Sequence, residues 1–525
     1  MNKVLKNNDG FLERESTQKL LFWLILAAGI FARVYRFGLV PNGLNQDEAR
    51  AGYEAWSLLN YGIDTAGYHN PVYLTAWGSG MNALETYLMI PFIALFGLKV
   101  WVIRMPQLIV ACLSLPTAYS LVKRTVDRRA GLMAMFMLAI CPWHIILSRW
   151  GLESNLAPGF LLFGLYFFIR AAENEQYLLL SALMYGLSLY TYATIWPFVP
   201  VIILLQLIYC MAYKKLRFSR YLLLFVLILF VMALPLLLFL LVNYGYIDEI
   251  RTSFFSIPKL LYMRSDELSF RQKRMKLETA LDIFINQSDN NIWNSPEKFG
   301  LFYFISMPFA VFGFIFCVCE FIAGLRRREY RPAALLLVQF VAALPICVIL
   351  EANATKINIL FMPVVLFAAL GVYFLSSLTH RHVLTALACI YAVLFIGFEV
   401  YYFTDYDEAA HSHYSYGLEQ ALDIADEKAN KVYLDIKPLH YSKVLFYTQT
   451  PVDVFRDTVH YVIYPSPYLD AVSFDHYYFQ LNSYQPEDDA AYIMPIGSDT
   501  GLLEEEDFTF EYCGCYMVAY KENGE

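Results

Sequence analysis

Long apolar runs alternate with short polar segments along the first four hundred or so residues of the chain. Runs of about 18 or more residues with few charges are typical of transmembrane helices. The pattern therefore predicts about eleven membrane-spanning helices, at about 19–37, 102–122, 130–148, 155–171, 177–194, 196–213, 220–243, 300–324, 332–350, 358–378 and 383–403.

One further apolar run, Leu84–Gly97, is only about 14 residues long. That length suits an interfacial or re-entrant helix better than a helix that crosses the bilayer. We therefore place it within a first outer loop that extends from about residue 38 to residue 101.

The pattern changes after residue 403, where the chain becomes acidic and rich in tyrosine. The run 416–428 has helical periodicity, and the short runs 432–436, 461–464 and 508–512 are strand-like. We predict a transmembrane domain over 1–403 and a small α/β domain over 404–525. The fold class is thus an α-helical polytopic membrane protein with a small extracytoplasmic α/β domain at its C-terminus.

Composition supports this interpretation. Hydrophobic residues make up 58% of the chain, charged residues only 16%, and the mean hydropathy is +0.44. A soluble domain has about 25% charged residues, so lipid must cover much of this surface. The net charge is −8, and no basic arm is present, which argues against a nucleic-acid partner.

Basic residues indicate the orientation. With a cytoplasmic N-terminus, the inner loops at about 123–129, 170–176, 214–220 and 326–331 contain most of the arginines and lysines that flank the spans. The positive-inside rule expects this arrangement. An odd number of spans then places the C-terminal domain outside. The predicted location is a bacterial cytoplasmic membrane.

The first outer loop contains adjacent carboxylates, Asp47 and Glu48, followed by Arg50 and Tyr53. Ala51, Ala55, Leu58 and Leu59 form an apolar face behind them. Carboxylates at the start of a helix interact favourably with its dipole, so a capping pair is one interpretation. The other is a catalytic pair.

The later outer loops add further polar groups at the same membrane face. Glu153 follows Arg149 in the second outer loop, and the two side chains could simply form an ion pair. Lys356 precedes Asn358 in the last outer loop. Lys356 could bind an anionic headgroup, or it could extend along the membrane interface as lysines often do.

His69 and Asn70 form another polar cluster in the first outer loop. A lone histidine is more often a hydrogen-bonded structural residue than a ligand. A divalent metal bound by Asp47, His69 and Glu153 is the alternative, but no cofactor is required by the chemistry that follows.

Taken together, these groups match the needs of sugar transfer from a lipid phosphate. A carboxylate must accept the proton of the attacking hydroxyl group. Cations must neutralise the phosphate that leaves. The transmembrane helices can supply an apolar groove for the lipid chain.

Over residues 19–403 the chain resembles the GT-C superfold of membrane glycosyltransferases. It is most similar to the bacterial relatives of protein O-mannosyltransferases and to the aminoarabinose transferases, which are related to glycosyltransferase family 39. The motifs that carry the resemblance are Asp47-Glu48, Gly52-Tyr53, Arg104-Met105-Pro106, Pro142-Trp143-His144, Ser148-Arg149 and Glu153.

The resemblance implies an inverting transfer from a polyprenyl-phosphate sugar to an extracytoplasmic acceptor, which could be a cell-wall polymer, a lipid or a protein. Asp47 would be the catalytic base, with Glu48 and Glu153 as further catalytic carboxylates. The remaining site residues that it implies are Arg50, Arg149 and Lys356 for the donor phosphate, and Tyr53, His69, Asn70 and Asn358 for the substrates. Relatives often have a lysine or histidine directly before the loop proline, where this chain has Asn70.

Two other classes of protein fit less well. A transporter or a flippase for lipid-linked glycans usually has charged residues within its spans, whereas these spans are nearly free of acidic residues. A polysaccharide polymerase or ligase would be expected to depend more on arginines of the outer loops. Both remain alternatives to a glycosyltransferase.

Overall fold

The computed structural model describes residues 14–264, 271–378, 381–437, 440–479 and 486–522. A helical bundle accounts for most of these residues, and a region built around a β-sheet follows its last helix. The helices up to that point are Glu15–Val34 (α1), Gln46–Tyr61 (α2), Leu84–Phe96 (α3), Val100–Ile103 (α4), Met105–Thr125 (α5), Arg128–Ala139 (α6), Pro142–Leu147 (α7), Ala157–Ala171 (α8), Tyr177–Ser188 (α9), Phe198–Ala212 (α10), Arg220–Asn243 (α11), Lys273–Asn286 (α12), Ser306–Arg327 (α13), Ala334–Ala343 (α14), Ile346–Ile349 (α15), Phe361–Leu378 (α16) and Arg381–Tyr401 (α17).

A helix forms at each of the eleven predicted spans. Among the described residues, seven helices are long and apolar enough to cross a membrane: Glu15–Val34, Met105–Thr125, Glu153–Ala171, Arg220–Asn243, Ser306–Arg327, Asn358–Ser376 and Thr385–Ala410. The other four predicted spans form shorter or interrupted helices, namely α6 with α7, α9, α10, and α14 with α15. The prediction of a polytopic helical membrane protein is confirmed.

The third predicted span is interrupted rather than continuous. Helix α6 ends at Ala139, Cys141 is extended, and α7 begins at Pro142. Proline has no N–H to donate and disfavours a helical residue before it, so it begins a new helix here. The short helix α3 has 13 residues and packs against α2, as expected for a helix within the outer loop.

The outer segments contain two small hairpins, Tyr73–Leu74 (β1) with Met81–Asn82 (β2), and Ile250–Arg251 (β3) with Ser256–Ile257 (β4). The C-terminal region comprises Asp407–Ala410 (α18), Leu418–Lys428 (α19), Lys431–Leu434 (β5), Tyr441–Thr448 (α20), Val452–Thr458 (α21), His460–Tyr461 (β6), Ala471–Phe474 (β7), Tyr477–Tyr478 (β8), Ala490–Pro495 (β9), Gly501–Glu505 (α22), Thr509–Cys513 (β10) and Tyr516–Tyr520 (β11).

The C-terminal strands form one sheet of seven strands in the order β10-β11-β9-β5-β8-β7-β6. β5 lies parallel to both of its neighbours, and the remaining pairs are antiparallel. The predicted helix near 416–428 and the strands near 432–436 and 508–512 are present. The strand predicted over 461–464 is wrong beyond Tyr461, because residues 462–464 leave the sheet.

The first outer loop and the C-terminal region share one hydrophobic core. Ala49, Tyr53 and Ile103 belong to the same buried cluster as Leu422 and Phe446. The division of the chain at residue 403 therefore does not separate two independent cores, and its place as a domain boundary stays a prediction.

Helix α2 contacts the C-terminal helix α20 closely. A Cβ atom added at Gly52 would lie 2.9 Å from both the Phe446 ring and Ile103. Glycine at this position thus permits the approach of the two helices. The hydroxyl of Tyr53 donates a hydrogen bond of 2.5 Å to the carbonyl of Thr450.

The carboxylate of Glu48 joins α2 to two other segments. Glu48 is fully buried and forms a bidentate ion pair with Arg104, at 2.6 and 2.9 Å. It also accepts hydrogen bonds from the backbone N–H groups of Gly151, at 2.9 Å, and Asn45, at 3.0 Å. Arg104 in turn donates to the carbonyls of Pro41 and Gly43.

We predict that replacing Arg104 with methionine lowers the free energy of unfolding by about 3–5 kcal/mol, because the buried Glu48 carboxylate loses its charge partner. Thermal melting in detergent measures the change. Arg124→Met is the control, since it breaks an exposed pair with Glu173 that contributes at most about 1 kcal/mol. Equal melting temperatures for the two variants would contradict the role assigned to Arg104.

Candidate functional site

Asp47 lies at the N-terminus of α2 with its carboxylate available for other partners. Asn45 caps the helix by accepting a hydrogen bond from the Asp47 N–H at 3.0 Å, and Glu48 completes the capping box. The capping interpretation is thus confirmed for Glu48. The Asp47 side chain is half-buried, and within the described ranges no protein group donates a hydrogen bond to its carboxylate.

A cavity of about 360 Å³ is lined by other segments and by no residue of α2. Asp47 does not line it, but lies within electrostatic reach of two lining residues, Glu153 and Arg264. The polar lining of the cavity comes from β2, from the start of the fourth span and from the segment after β4. Its apolar lining comes mainly from α11 and from the turn before α10. The lining residues are Tyr73, Ser79, Asn82, Glu153, Tyr192, Ala193, Thr194, Trp196, Pro197, Phe239, Leu240, Tyr244, Leu260, Met263, Arg264 and Leu350.

Glu153 is the buried carboxylate of the cavity. It accepts a short hydrogen bond from the backbone N–H of Asn82 in β2. It also lies within electrostatic reach of Asp47 and Arg264. The structure therefore brings together two of the three carboxylates that the sequence predicted, Asp47 and Glu153, while Glu48 is engaged by Arg104.

Two residues of the cavity wall carry three buried polar atoms without a hydrogen-bond partner among the described residues. The atoms are Nδ2 and Oδ1 of Asn82 and Oγ1 of Thr194. Leaving such atoms unpaired costs about 1–3 kcal/mol each. Asn82 and Thr194 thus bring polar groups to this part of the wall.

Arg264 is a functional candidate that the sequence analysis missed. It lines the cavity, and its Nη2 donates a long hydrogen bond of 3.5 Å to the carbonyl of Gly80. Its positive charge acts on both Asp47 and Glu153. Only the tertiary structure places Arg264 here, because it lies in a long outer segment that contains several other basic residues.

Lys443 is a second cation that the sequence did not identify. It belongs to α20 of the C-terminal region, is fully buried and donates a hydrogen bond of 2.7 Å to the Ser415 hydroxyl. Burial lowers the pKa of Lys443 to about 7, although the negative charges of Glu48 and Asp47 oppose this shift. The neighbouring Ser442 donates to the carbonyl of Gln46, which fixes α20 against the start of α2.

The surroundings of Asp47 determine the pKa of its carboxyl group. Desolvation raises the pKa of Asp47 to about 6, and the charge of Glu48 acts in the same direction. The positive charges of Arg264 and Lys443 lower the pKa and so favour the carboxylate. Asp47 is therefore mainly ionised at neutral pH and close to the range in which a general base is effective.

Arg50 and Tyr53 lie on the side of α2 that faces the C-terminal region. Arg50 is buried and paired with Glu54 at 2.8 Å, and it also donates to the carbonyl of Ala76 at 2.9 Å. A further contact of 3.4 Å joins it to the Tyr441 hydroxyl. Neither Arg50 nor Tyr53 lines the cavity.

Arg149 binds the end of α1. Its guanidinium is fully buried and donates to five backbone carbonyls, those of Ala32, Arg33, Tyr35, Arg36 and Val40, at 2.8–3.2 Å. A cation at the C-terminus of a helix compensates the unpaired carbonyls and the helix dipole. Arg149 thus contacts α1 through these bonds instead of forming the predicted alternative pair with Glu153.

The last outer loop lies beside the second one. Asn358 is buried and donates a hydrogen bond of 2.8 Å to the carbonyl of Ser154, next to Glu153. Lys356 is half-buried and does not line the cavity, and its backbone N–H donates to Asn353.

His69 and Asn70 are exposed and lie in the segment between α2 and β1. His69 contacts the carbonyl of Gly62 through Nδ1 at 2.9 Å, and Asn70 donates to the carbonyl of Phe254. Across the described ranges, no three His, Cys, Asp or Glu side chains are arranged to hold a metal ion. The structure thus does not assemble Asp47, His69 and Glu153 into one site.

Comparison with known sequences supports a glycosyltransferase relationship for part of the chain. Residues 84–239 match the family described as dolichyl-phosphate-mannose-protein mannosyltransferase. The matched segment includes Glu153 and the start of the cavity's apolar wall. No curated protein sequence matches the chain.

Solved structures match nearly the whole chain. ArnT from Cupriavidus metallidurans in the apo state is 13% identical, with a TM-score of 0.54, and the match covers 95% of this chain and 97% of ArnT. Its complex with undecaprenyl phosphate gives 13% identity, a TM-score of 0.57 and coverage of 96% and 98%.

A second enzyme is also similar. The archaeal oligosaccharyltransferase AglB from Archaeoglobus fulgidus, in complex with an inhibitory peptide and a dolichol-phosphate, is 12% identical, with a TM-score of 0.50. This match covers 83% of the chain and 64% of AglB. The bundle, its outer loops and the matched segment together establish that the chain has the GT-C fold of membrane glycosyltransferases, as its loop motifs predicted.

Proposed function

We propose that this protein is a glycosyltransferase that moves a sugar from a polyprenyl-phosphate donor to an acceptor on the outer side of a bacterial cytoplasmic membrane. Two related structures contain the matching lipids, undecaprenyl phosphate in ArnT and dolichol-phosphate in AglB. The acceptor is a cell-wall polymer, a lipid or a protein. This orientation has the N-terminus in the cytoplasm and the C-terminal region outside.

The observation that supports this proposal most directly is the division of the cavity into a polar and an apolar part. Glu153 and Arg264 lie on its polar side, and the end of α11 supplies Phe239 and Leu240 to its apolar side, followed by Tyr244. A polyprenyl-phosphate sugar has the same division, since an anionic phosphate and a hydroxylated ring are attached to a hydrocarbon chain. Asn82 and Thr194 would bind the sugar hydroxyls.

In the proposed reaction, an acceptor hydroxyl oxygen attacks the anomeric carbon of the donor sugar. The bond between that carbon and the phosphate oxygen breaks, and its electron pair stays with the phosphate. Asp47 accepts the hydroxyl proton, and Arg264 neutralises the polyprenyl phosphate that leaves. A single displacement of this kind inverts the anomeric configuration.

The other predicted site residues receive supporting roles in this proposal. Glu48 is occupied by four donors, so it positions α2 and thereby Asp47. Arg50 is bonded to Glu54 and to the carbonyl of Ala76, and Arg149 is bonded to the backbone carbonyls at the end of α1. Both arginines therefore act as positioning residues. Glu153 is the second carboxylate at the reacting centre. The reaction as written requires no metal ion, which stays a prediction that chelation tests.

We predict that Asp47→Asn lowers turnover by about 10²–10⁴-fold, because the proton of the attacking hydroxyl loses its acceptor. The measurement is release of polyprenyl phosphate from a panel of polyprenyl-phosphate sugars with membrane-extracted acceptor, with and without a chelator. Asp453→Asn is the matched control, since Asp453 is exposed and is also the second residue of its helix. Full activity of the folded Asp47→Asn protein would rule out Asp47 as the base.

We predict that Arg264→Gln lowers kcat/KM by roughly 10–100-fold, since a hydrogen bond to a charged group contributes about 1.5–3 kcal/mol. The same assay measures the change. Arg251→Gln is the control, because Arg251 lies in the same outer segment but pairs with Glu249 at the surface. If the two variants behave alike, Arg264 does not bind the leaving phosphate.

The pH dependence should follow the ionisation of Asp47. We expect kcat/KM to rise as the pH increases through about 6, the pKa that burial gives Asp47. Lys443→Met removes a positive charge that lowers this pKa, so the acidic limb of the profile should move to higher pH. Lys431→Met, which removes an exposed partner of Glu487, should leave the limb in place. An unchanged limb in Lys443→Met would exclude this electrostatic role.

A further inference from the structure

An exposed apolar segment connects β6 and β7 in the C-terminal region. We call residues 462–468 the hairpin tip. Ile463 and Tyr464 are each 66% exposed, and Val462 and Tyr468 are also largely exposed. Exposure of apolar side chains to water costs free energy. Contact with an apolar surrounding would therefore stabilise the tip.

The hairpin tip is attached to the first outer loop beside the cavity. Tyr468 forms a β-bridge with Gly78, and the N–H of Leu469 donates to the carbonyl of Trp77 at 2.8 Å. A Cβ atom at Gly78 would lie 2.6 Å from the Ser466 carbonyl oxygen, so glycine is needed for this approach. The next residue, Ser79, lines the cavity.

The same point of the loop is also tied to the outer end of α11. The side chain of Asn243, the last residue of α11, bonds to the carbonyl of Pro258 at 3.0 Å and to the N–H of Leu260 at 2.8 Å. Tyr262 follows, and its N–H donates to the carbonyl of Gly78 at 3.0 Å. The hairpin tip thus contacts Gly78, and Gly78 contacts the segment that is bonded to the end of α11.

Exposed apolar side chains recur along this path. Leu237 and Leu241 are exposed in the last turns of α11, and Tyr244 is exposed directly after it. Leu261 and Tyr262 are also exposed, as is the hairpin tip. The tip therefore adds to the exposed apolar side chains near the end of α11, a helix long and apolar enough to cross a membrane.

Charge distinguishes the tip from the rest of the C-terminal region. That region is strongly acidic, yet between Asp457 and Asp470 the chain contains no Asp, Glu, Lys or Arg. Placing charged groups in an apolar surrounding is costly, whereas tyrosine and aliphatic side chains are favoured where headgroups meet hydrocarbon.

We propose that the hairpin tip inserts into the interfacial layer of the outer leaflet and so anchors the C-terminal region to the bilayer next to the cavity mouth. The partner is the lipid surface itself. The exposed apolar side chains between the end of α11 and the tip, together with the absence of charge in the tip, favour lipid over a water-borne acceptor. The anchor would hold the loop around Gly78, and with it Arg264, at the level of a donor headgroup.

The test is a depth measurement on the full-length protein in nanodiscs that contain one copy each. Ile463→Cys carries a spin label, in a background where the accessible cysteines Cys112, Cys319, Cys389 and Cys515 are replaced by serine. Tyr512→Cys is the matched control, because β10 lies at the opposite edge of the same sheet and Tyr512 is equally exposed. Melting temperatures equal to those of the unlabelled background establish that both proteins are folded.

We expect the label at residue 463 to collide more often with oxygen, which dissolves in lipid, than with a water-soluble nickel complex. The control label at residue 512 should show the reverse preference. Preference for the nickel complex at both positions would overturn the proposal. Protection at residue 463 that appears only after membrane-extracted acceptor is added would also overturn it, and would identify the tip as an acceptor-binding surface. Neither result depends on sugar transfer.

Discussion

The buried carboxylate of Glu48 is the interaction on which the outer face of this protein depends. A charge without access to water requires a partner, and Arg104 supplies it from the residue before α5. The Gly151 N–H adds the second outer loop to the same carboxylate. Three segments that are distant in sequence therefore have one fixed arrangement, and Asp47 obtains its position from the residue next to it.

Adjacent residues of the same charge consequently have different environments. Glu48 has its oxygens occupied and lies inside the fold, whereas Asp47 is left without a protein donor in the described chain. Two arginines near this site also have different environments. Arg149 is occupied by backbone carbonyls and does not line the cavity, whereas Arg264 is one of the residues that line it.

This division explains how far the sequence could predict the protein. The spans were predictable because a bilayer requires long apolar runs, and the helix start at Asp47 was predictable from the apolar face that follows it. Strands β9 and β11 escaped detection because they are almost continuously buried, so they show no alternation of apolar and polar residues. Arg264 and Lys443 were missed because their relation to Asp47 exists only in three dimensions.

The core shared by the first outer loop and the C-terminal region has a consequence for how the chain is made. Residues near 50 bury their apolar side chains against residues near 420 and 446, which leave the ribosome only after all the predicted spans. The first outer loop can therefore complete its core only after the helices of the bundle have been synthesised. Completion of the outer face would then report that the whole chain has been inserted.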